Sequence, residues 1–175
     1  QTGHGRGSTR APWLEPGEIA ERKRIFREEF DDFLPEKILD FHIHVMNGGV
    51  VPKGRTYNCA GAHLTKFDMG DLERSLADTY PGRKTAAVVF GFPHNDYAMA
   101  RNNRYVAETA DHKRFFPFRL FDPNEKDHGA VCADIMEGHF LGLKPYLNYV
   151  RKSDPNDVEI HEMLPPWIME IADEL

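Results

Sequence analysis

Four short apolar runs punctuate the chain, Ile38–His44, Thr85–Phe92, Phe115–Phe121 and Phe140–Leu147. Turn residues and stretches with helix-spaced apolar positions separate or follow them, at Asp71–Tyr80, Asn95–Asp111, Gly129–Glu137 and Pro165–Leu175. A strand covered on both faces reads as an unbroken apolar run, and "TAAVVFGF" is such a run. The pattern therefore predicts an α/β fold, parallel strands joined by helical crossovers. Upstream, Ile19, Phe26, Phe30 and Phe33 recur at helical spacing, and Pro16 suits a first turn, which predicts a leading amphipathic helix. Pro165 and Pro166 set the start of the last helix, whose stripe is Trp167, Ile168, Ile171, Ala172 and Leu175.

Two segments fall outside this alternation. Residues 1–14 are rich in Gly, Ser, Thr and Arg without apolar periodicity and read as a flexible leader to a domain spanning 15–175. "GHGRGS" within it has no strand before it, so it lacks the context of a phosphate loop. Val45–Gly70 is much longer than a usual strand–helix connection, and loops of that length are often functional.

Composition narrows the function classes. At 175 residues the chain has the size of one domain, with 41% hydrophobic residues and a formal net charge of -6. That charge offers nothing to phosphate backbones, so nucleic acid is not an expected partner. The longest near-continuous apolar stretch, Ala86–Pro93, is far short of the roughly 20 residues that span a bilayer, so no membrane association is expected and the location is read as cytoplasmic. Cys59 and Cys132 are too far apart for a Cys-x-x-Cys site. A start at Gln1 and an end within an amphipathic pattern suggest a piece of a longer protein.

The chemistry concentrates in "KILDFHIHVMNGG". Alternate residues of a strand share a face, so Asp40, His42 and His44 lie on one side and Leu39, Phe41 and Ile43 on the other. Two imidazoles on one face can ligate one ion, and the carboxyl end of a parallel strand is where α/β folds place chemistry. The alternative is a pair of half-buried histidines satisfied by neighbouring carbonyls.

"LDFHIHV" resembles the first-strand signature of the amidohydrolase superfamily, metal-dependent hydrolases and decarboxylases on a (β/α)8 TIM-like barrel. "RFFPFRLFDP" and "FLGLKPYL" are similar to the third and fourth strands of its branch with aromatic-acid decarboxylases and sugar-lactone hydrolases. The resemblance runs from Lys37 to Leu175 and implies the first half of the barrel, truncated after the fourth β/α unit. It implies His42 and His44 as metal ligands and a catalytic Lys144 on the fourth strand, where binuclear members carry a carboxylated lysine. Mononuclear members lack that bridge, and for them the resemblance implies a fifth-strand histidine and an eighth-strand aspartate, both expected beyond Leu175. The cofactor implied is a divalent metal, Zn2+ first, with Mn2+ or Fe2+ as alternatives. The substrate implied is a small carboxylate, lactone or amide.

Other positions follow from strand ends. His94, after the second strand, is a candidate substrate contact, with a solvated turn before Asn95 and Asp96 as the alternative. Tyr146 is a second candidate for substrate binding. Asp122 opens an Asp-Pro turn and reads as structural. An inward Lys144 calls for an anionic partner, Asp40, another carboxylate or a substrate anion. His4, His63, His112, His128, His139 and His161 lack ligand spacing and read as surface or capping residues, with His63 of interest because of its loop.

Half a barrel has open sheet edges, so association into homo-oligomers is expected. The competing readings are a non-catalytic fragment or scaffold half-barrel, and a phosphoesterase of another His-x-His barrel family. A carboxylate usually stands in the latter where this chain has Lys144.

Overall fold

Ala87, Val88, Val89 and Phe90 are all almost completely buried, which makes the second apolar run the central strand of a sheet. The computed structural model describes residues 15–59 and 62–174. In chain order the elements are α1 (Pro16–Ile25), a π-helical turn (Phe26–Phe30), β1 (Lys37–His44), β2 (Tyr57–Cys59), β3 (Ala62–Leu64), α2 (Met69–Thr79) and β4 (Lys84–Phe90). Then follow α3 (Met99–Thr109), β5 (Phe115–Leu120), α4 (His128–Glu137), β6 (Gly142–Lys144), α5 (Ile160–Met163) and α6 (Pro166–Glu174). The expected leader, residues 1–14, lies outside the described residues, as do Leu175 and, from the "GHGRGS" motif, His4.

The main sheet has the order β1-β4-β5-β6, so successive strands are neighbours with helical crossovers between them. β5 pairs in parallel with β4 through Val88↔Phe116 and with β6 through Arg119↔Leu143. Such connections place all four carboxyl ends on one edge.

Two compact units divide the chain, one drawn from Gln1–Ile38 and Met69–Thr85, the other from Leu39–Asp68 and Ala86–Leu175. In the first, Lys23 pairs with Asp78 at 2.6 Å and the Arg83 guanidinium lies over the ring of the buried Phe26 at 5.3 Å. The amphipathic expectation for the leading helix is corrected here. α1 buries none of its residues, and Phe33 is 81% exposed. Of the expected stripe only Phe26, at the start of the π-helical turn, is buried, and Phe30 is 42% exposed.

In the second unit, two neighbouring asparagines on α3 hold the strand ends. Successive helical residues point about 100° apart, so Asn102 and Asn103 reach different strands. Asn102 Nδ2 donates to Val45 O at 2.8 Å and its Oδ1 accepts from Phe92 N at 3.2 Å. Asn103 Nδ2 donates to Leu120 O at 2.8 Å and its Oδ1 accepts from Leu120 N at 3.1 Å. Both side chains are buried, and these bonds satisfy backbone groups where β1, β4 and β5 stop pairing.

The long connection after β1 is not irregular throughout. β2 and β3 form an antiparallel hairpin, and Met46 bridges Phe67 through two backbone bonds of 2.8 and 2.9 Å. Tyr57 and Leu64 are buried. The expected fourth strand shrinks to Gly142–Lys144, because Phe140 N is still bonded to Ile135 O at the end of α4 and Pro145 has no N–H to donate. Helix α3 starts four residues later than expected, after a turn in which Tyr97 N donates to His94 O.

Candidate metal centre

His42 and His44 end β1 with their rings on the same side, as strand parity requires. Their ring centres are 5.2 Å apart. Two imidazoles sharing a tetrahedral ion through bonds of about 2.1 Å would have centres about 5 Å apart, so the pair is already at ligating separation. Both Nε2 atoms also converge on one oxygen, the Tyr146 hydroxyl, at 2.9 Å from His42 and 3.1 Å from His44.

This convergence reports the curvature of the sheet. Tyr146 follows β6 and the histidines end β1, three strand spacings away in the order, or roughly 14 Å across a flat sheet. That gap exceeds the combined reach of the side chains. The strands therefore curl toward this face, as in a partial barrel.

Hydrogen-bond bookkeeping orients the ring protons. Gly91 O lies 2.8 Å from His44 Nδ1, and a carbonyl can only accept, so His44 carries its proton on Nδ1 and presents a lone pair at Nε2. Tyr146 then donates its single hydroxyl proton to His44 Nε2, and His42 Nε2–H donates to the Tyr146 oxygen. The Gly91 contact is the kind of outer partner that fixes the tautomer of a ligating histidine.

Electrostatics keep both rings neutral. Burial pushes His44 down to about 4, the positive charges of His42 and Lys144 push the same way, and the Gly91 bond opposes them. His42 is lowered first by desolvation and then by the Lys144 charge, while Asp40 acts in the other direction. Neutral imidazole is the form that binds metal. Burial pushes the Tyr146 phenol up, so its hydroxyl keeps its proton when nothing else is bound.

Lys144 stands on the same side as the pair, half-buried. Its ammonium lies 5.2 Å from the Phe90 ring centre and 5.3 Å from that of Tyr146. Among the described residues no carboxylate forms an ion pair with it. Asp40, the nearest expectation, turns back on its own strand, where Oδ1 accepts from His42 N at 3.1 Å. Aromatic faces stabilise the cation and leave it free to meet an anion.

No family model, no curated protein and no solved structure matches this chain.

His94 is placed apart from the pair. Its ring stacks on Tyr97 at 4.4 Å and its Nδ1 accepts from Asp96 N at 3.1 Å, the solvated-turn arrangement. Phe92 lies between, 5.1 Å from His44 and 5.8 Å from Tyr97. Asp122 Oδ1 accepts from Asn124 N at 2.8 Å, the turn role expected of it. His63 is exposed beside Thr56 and does not reach His42 or His44. His112 and His139 take left-handed backbone positions just past α3 and α4, and His128 stacks on Trp167 at 4.2 Å.

Among the described residues no group of three or more His, Cys, Asp and Glu side chains is placed to hold an ion. The two histidines fit a metal as a convergent pair, His44 with its tautomer fixed by Gly91 O and His42 able to offer Nε2 once its proton sits on Nδ1, and further donors must be of another kind or from elsewhere. Sequence reasoning missed Gly91 and Asn102. The signal for the latter was present, since "RNNRY" puts two poor helix formers in a helix interior.

Proposed function

We propose that this chain carries the first part of a metal-dependent hydrolase or decarboxylase of the amidohydrolase type, on the opening strands of a (β/α)8 barrel. The observation that carries the reading is the convergence of His42 Nε2 and His44 Nε2 on one point, with His44 Nδ1 tied to Gly91 O. A divalent ion, Zn2+ first, would supply Lewis acidity and an acidified water near neutral pH.

The chain's own residues then have separable roles. His42 and His44 hold the ion, and Gly91 keeps the His44 lone pair aimed at it. Lys144, free of any carboxylate partner among the described residues, takes the negative end of a small carboxylate or the developing oxyanion of a lactone or amide. Phe90 and Phe92, against the histidine rings, limit water on that side. His94, at the neighbouring strand end, contacts the far end of a longer substrate.

Zn2+ titration of metal-stripped protein tests this directly. The expected result is one ion per chain, with His42→Ala and His44→Ala each weakening binding at least 10-fold, and turnover in a panel of lactones or carbon dioxide release from aromatic acids. Binding unaffected by both substitutions overturns the reading.

A second reading, association with another copy of the chain, is favoured by Leu39 and Phe41, 51% and 64% exposed on the edge strand β1. Sedimentation of wild type beside Phe41→Lys tests it, with a monomeric wild type as the refuting result.

A further inference from the structure

We propose that Tyr146 is a third protein donor to the ion, binding through its oxygen as phenolate beside His42 and His44. This rests on the metal reading above and adds a ligand that neither the sequence spacing nor the resemblance supplies. Three separate observations lead to it.

The first is distance. Two ligand atoms bound side by side to one ion at about 2.1 Å lie about 3.0 Å apart in octahedral and about 3.4 Å apart in tetrahedral geometry. Tyr146 Oη stands 2.9 Å from one Nε2 and 3.1 Å from the other. The oxygen therefore already stands at the spacing of a neighbouring donor from each Nε2, and the two rings are at ligating separation, so an ion near the three atoms needs only small shifts to meet them.

The second is that the oxygen is held by packing. Tyr146 packs against the buried cluster of Val88, Phe90 and Leu120. Its ring centre lies 5.6 Å from that of His44 and 6.3 Å from that of Phe90. A ring set this way returns its oxygen to one place whatever occupies the centre.

The third is charge. Two neutral histidines leave a divalent ion's charge uncompensated, and no His, Cys, Asp or Glu among the described residues completes the set. A phenolate offsets one unit and supplies the hard oxygen that two imidazoles lack. Proton accounting closes. The ion takes the His44 lone pair in place of the Tyr146 hydroxyl, the His42 proton moves from Nε2 to Nδ1 by exchange with solvent, and the phenol proton leaves to the buffer as the oxygen–metal bond forms.

Tyr146→Phe keeps the ring and removes only the oxygen, so the experiment compares metal-stripped wild type and Y146F, with urea midpoints confirming that both are folded. Each is titrated with Zn2+ by calorimetry and, separately, loaded with Fe3+, whose bond to a phenolate gives a visible charge-transfer band. Expected is a band in wild type that Y146F lacks, together with at least 10-fold weaker Zn2+ binding by Y146F. Equal or tighter Zn2+ binding by Y146F, or no band in iron-loaded wild type, overturns the role of Tyr146 while leaving the histidine pair intact. Failure of wild type itself to bind either ion overturns the metal reading and this inference with it.

Discussion

Asn102 donates its side-chain amide to the carbonyl of Val45 at 2.8 Å, one residue beyond His44. The same side chain accepts from Phe92 N, one residue beyond Gly91, the glycine whose carbonyl fixes the His44 ring. One buried asparagine thus holds both backbones that set the geometry of the imidazole. Asn102→Ala leaves two backbone groups without partners, and the expected loss of stability is about 2–4 kcal/mol, at about 1–3 kcal/mol for each buried unpaired group with partial relaxation. Asn103→Ala removes an equivalent pair of bonds to Leu120 and should cost a similar amount. Only the Asn102 variant should also change the His44 tautomer, read by nitrogen NMR of the ring. Equal effects of both variants on that signal would refute the link.

Gly91 cannot accept a side chain. A Cβ there would lie 2.8 Å from Leu120 Cδ1 and 2.9 Å from Asn102 Cγ. Gly91→Ala must displace the asparagine or the strand end, with an expected cost of about 1–3 kcal/mol. The urea midpoint should fall, and Zn2+ affinity should fall with it because the carbonyl moves. A variant as stable as wild type would show that the strand end yields freely.

Lys144→Met tests the cation without opening a hole. Metal binding should be retained, because the lysine touches aromatic rings and not the histidine nitrogens. KM for anionic substrates should rise by about 10-fold or more, as the loss of one charge-assisted bond of about 1.5–3 kcal/mol predicts. Loss of metal instead of substrate affinity would assign Lys144 to the ion.

Acid sensitivity has a local source at Asp111. Burial pushes this carboxyl up, but bonds from Phe115, Arg114 and Lys113 N–H groups, with the Arg114 charge, outweigh it and hold the net value below the usual range. Oδ1 accepts from those amides at 2.8, 2.8 and 3.0 Å. The unfolded chain therefore binds the proton first as pH falls, so this contribution is complete above the unfolded value of about 3.9 and is lost as pH drops through the lower native value. The stability gap between wild type and Asp111→Ala should be constant from pH 7 to 5 and narrow below 4. A gap that widened in acid would contradict the sign.

The alternation of apolar runs and helix-spaced stretches determined by itself that the protein is α/β with parallel neighbours, because backbone hydrogen bonding and burial allow an unbroken run such as "TAAVVFGF" few other fates. It likewise determined that His42 and His44 share a face, since strand parity is a local property. How much of the leading helix is covered was not legible, because only Phe26 of its apolar stripe is buried, under the Arg83 side chain, and that meeting depends on the folded chain. Nor was the hairpin in the connection after β1, whose Tyr57 and Leu64 bury themselves only once the chain is folded. Tertiary structure alone decided which groups meet the histidine pair. Tyr146 arrives from 102 residues beyond His44 and Gly91 from 47, and Lys144 found aromatic faces in place of a carboxylate. Sequence spacing fixes direction along an element, whereas the meeting of distant side chains depends on how far the sheet curls, which is a sum over every strand and crossover between them.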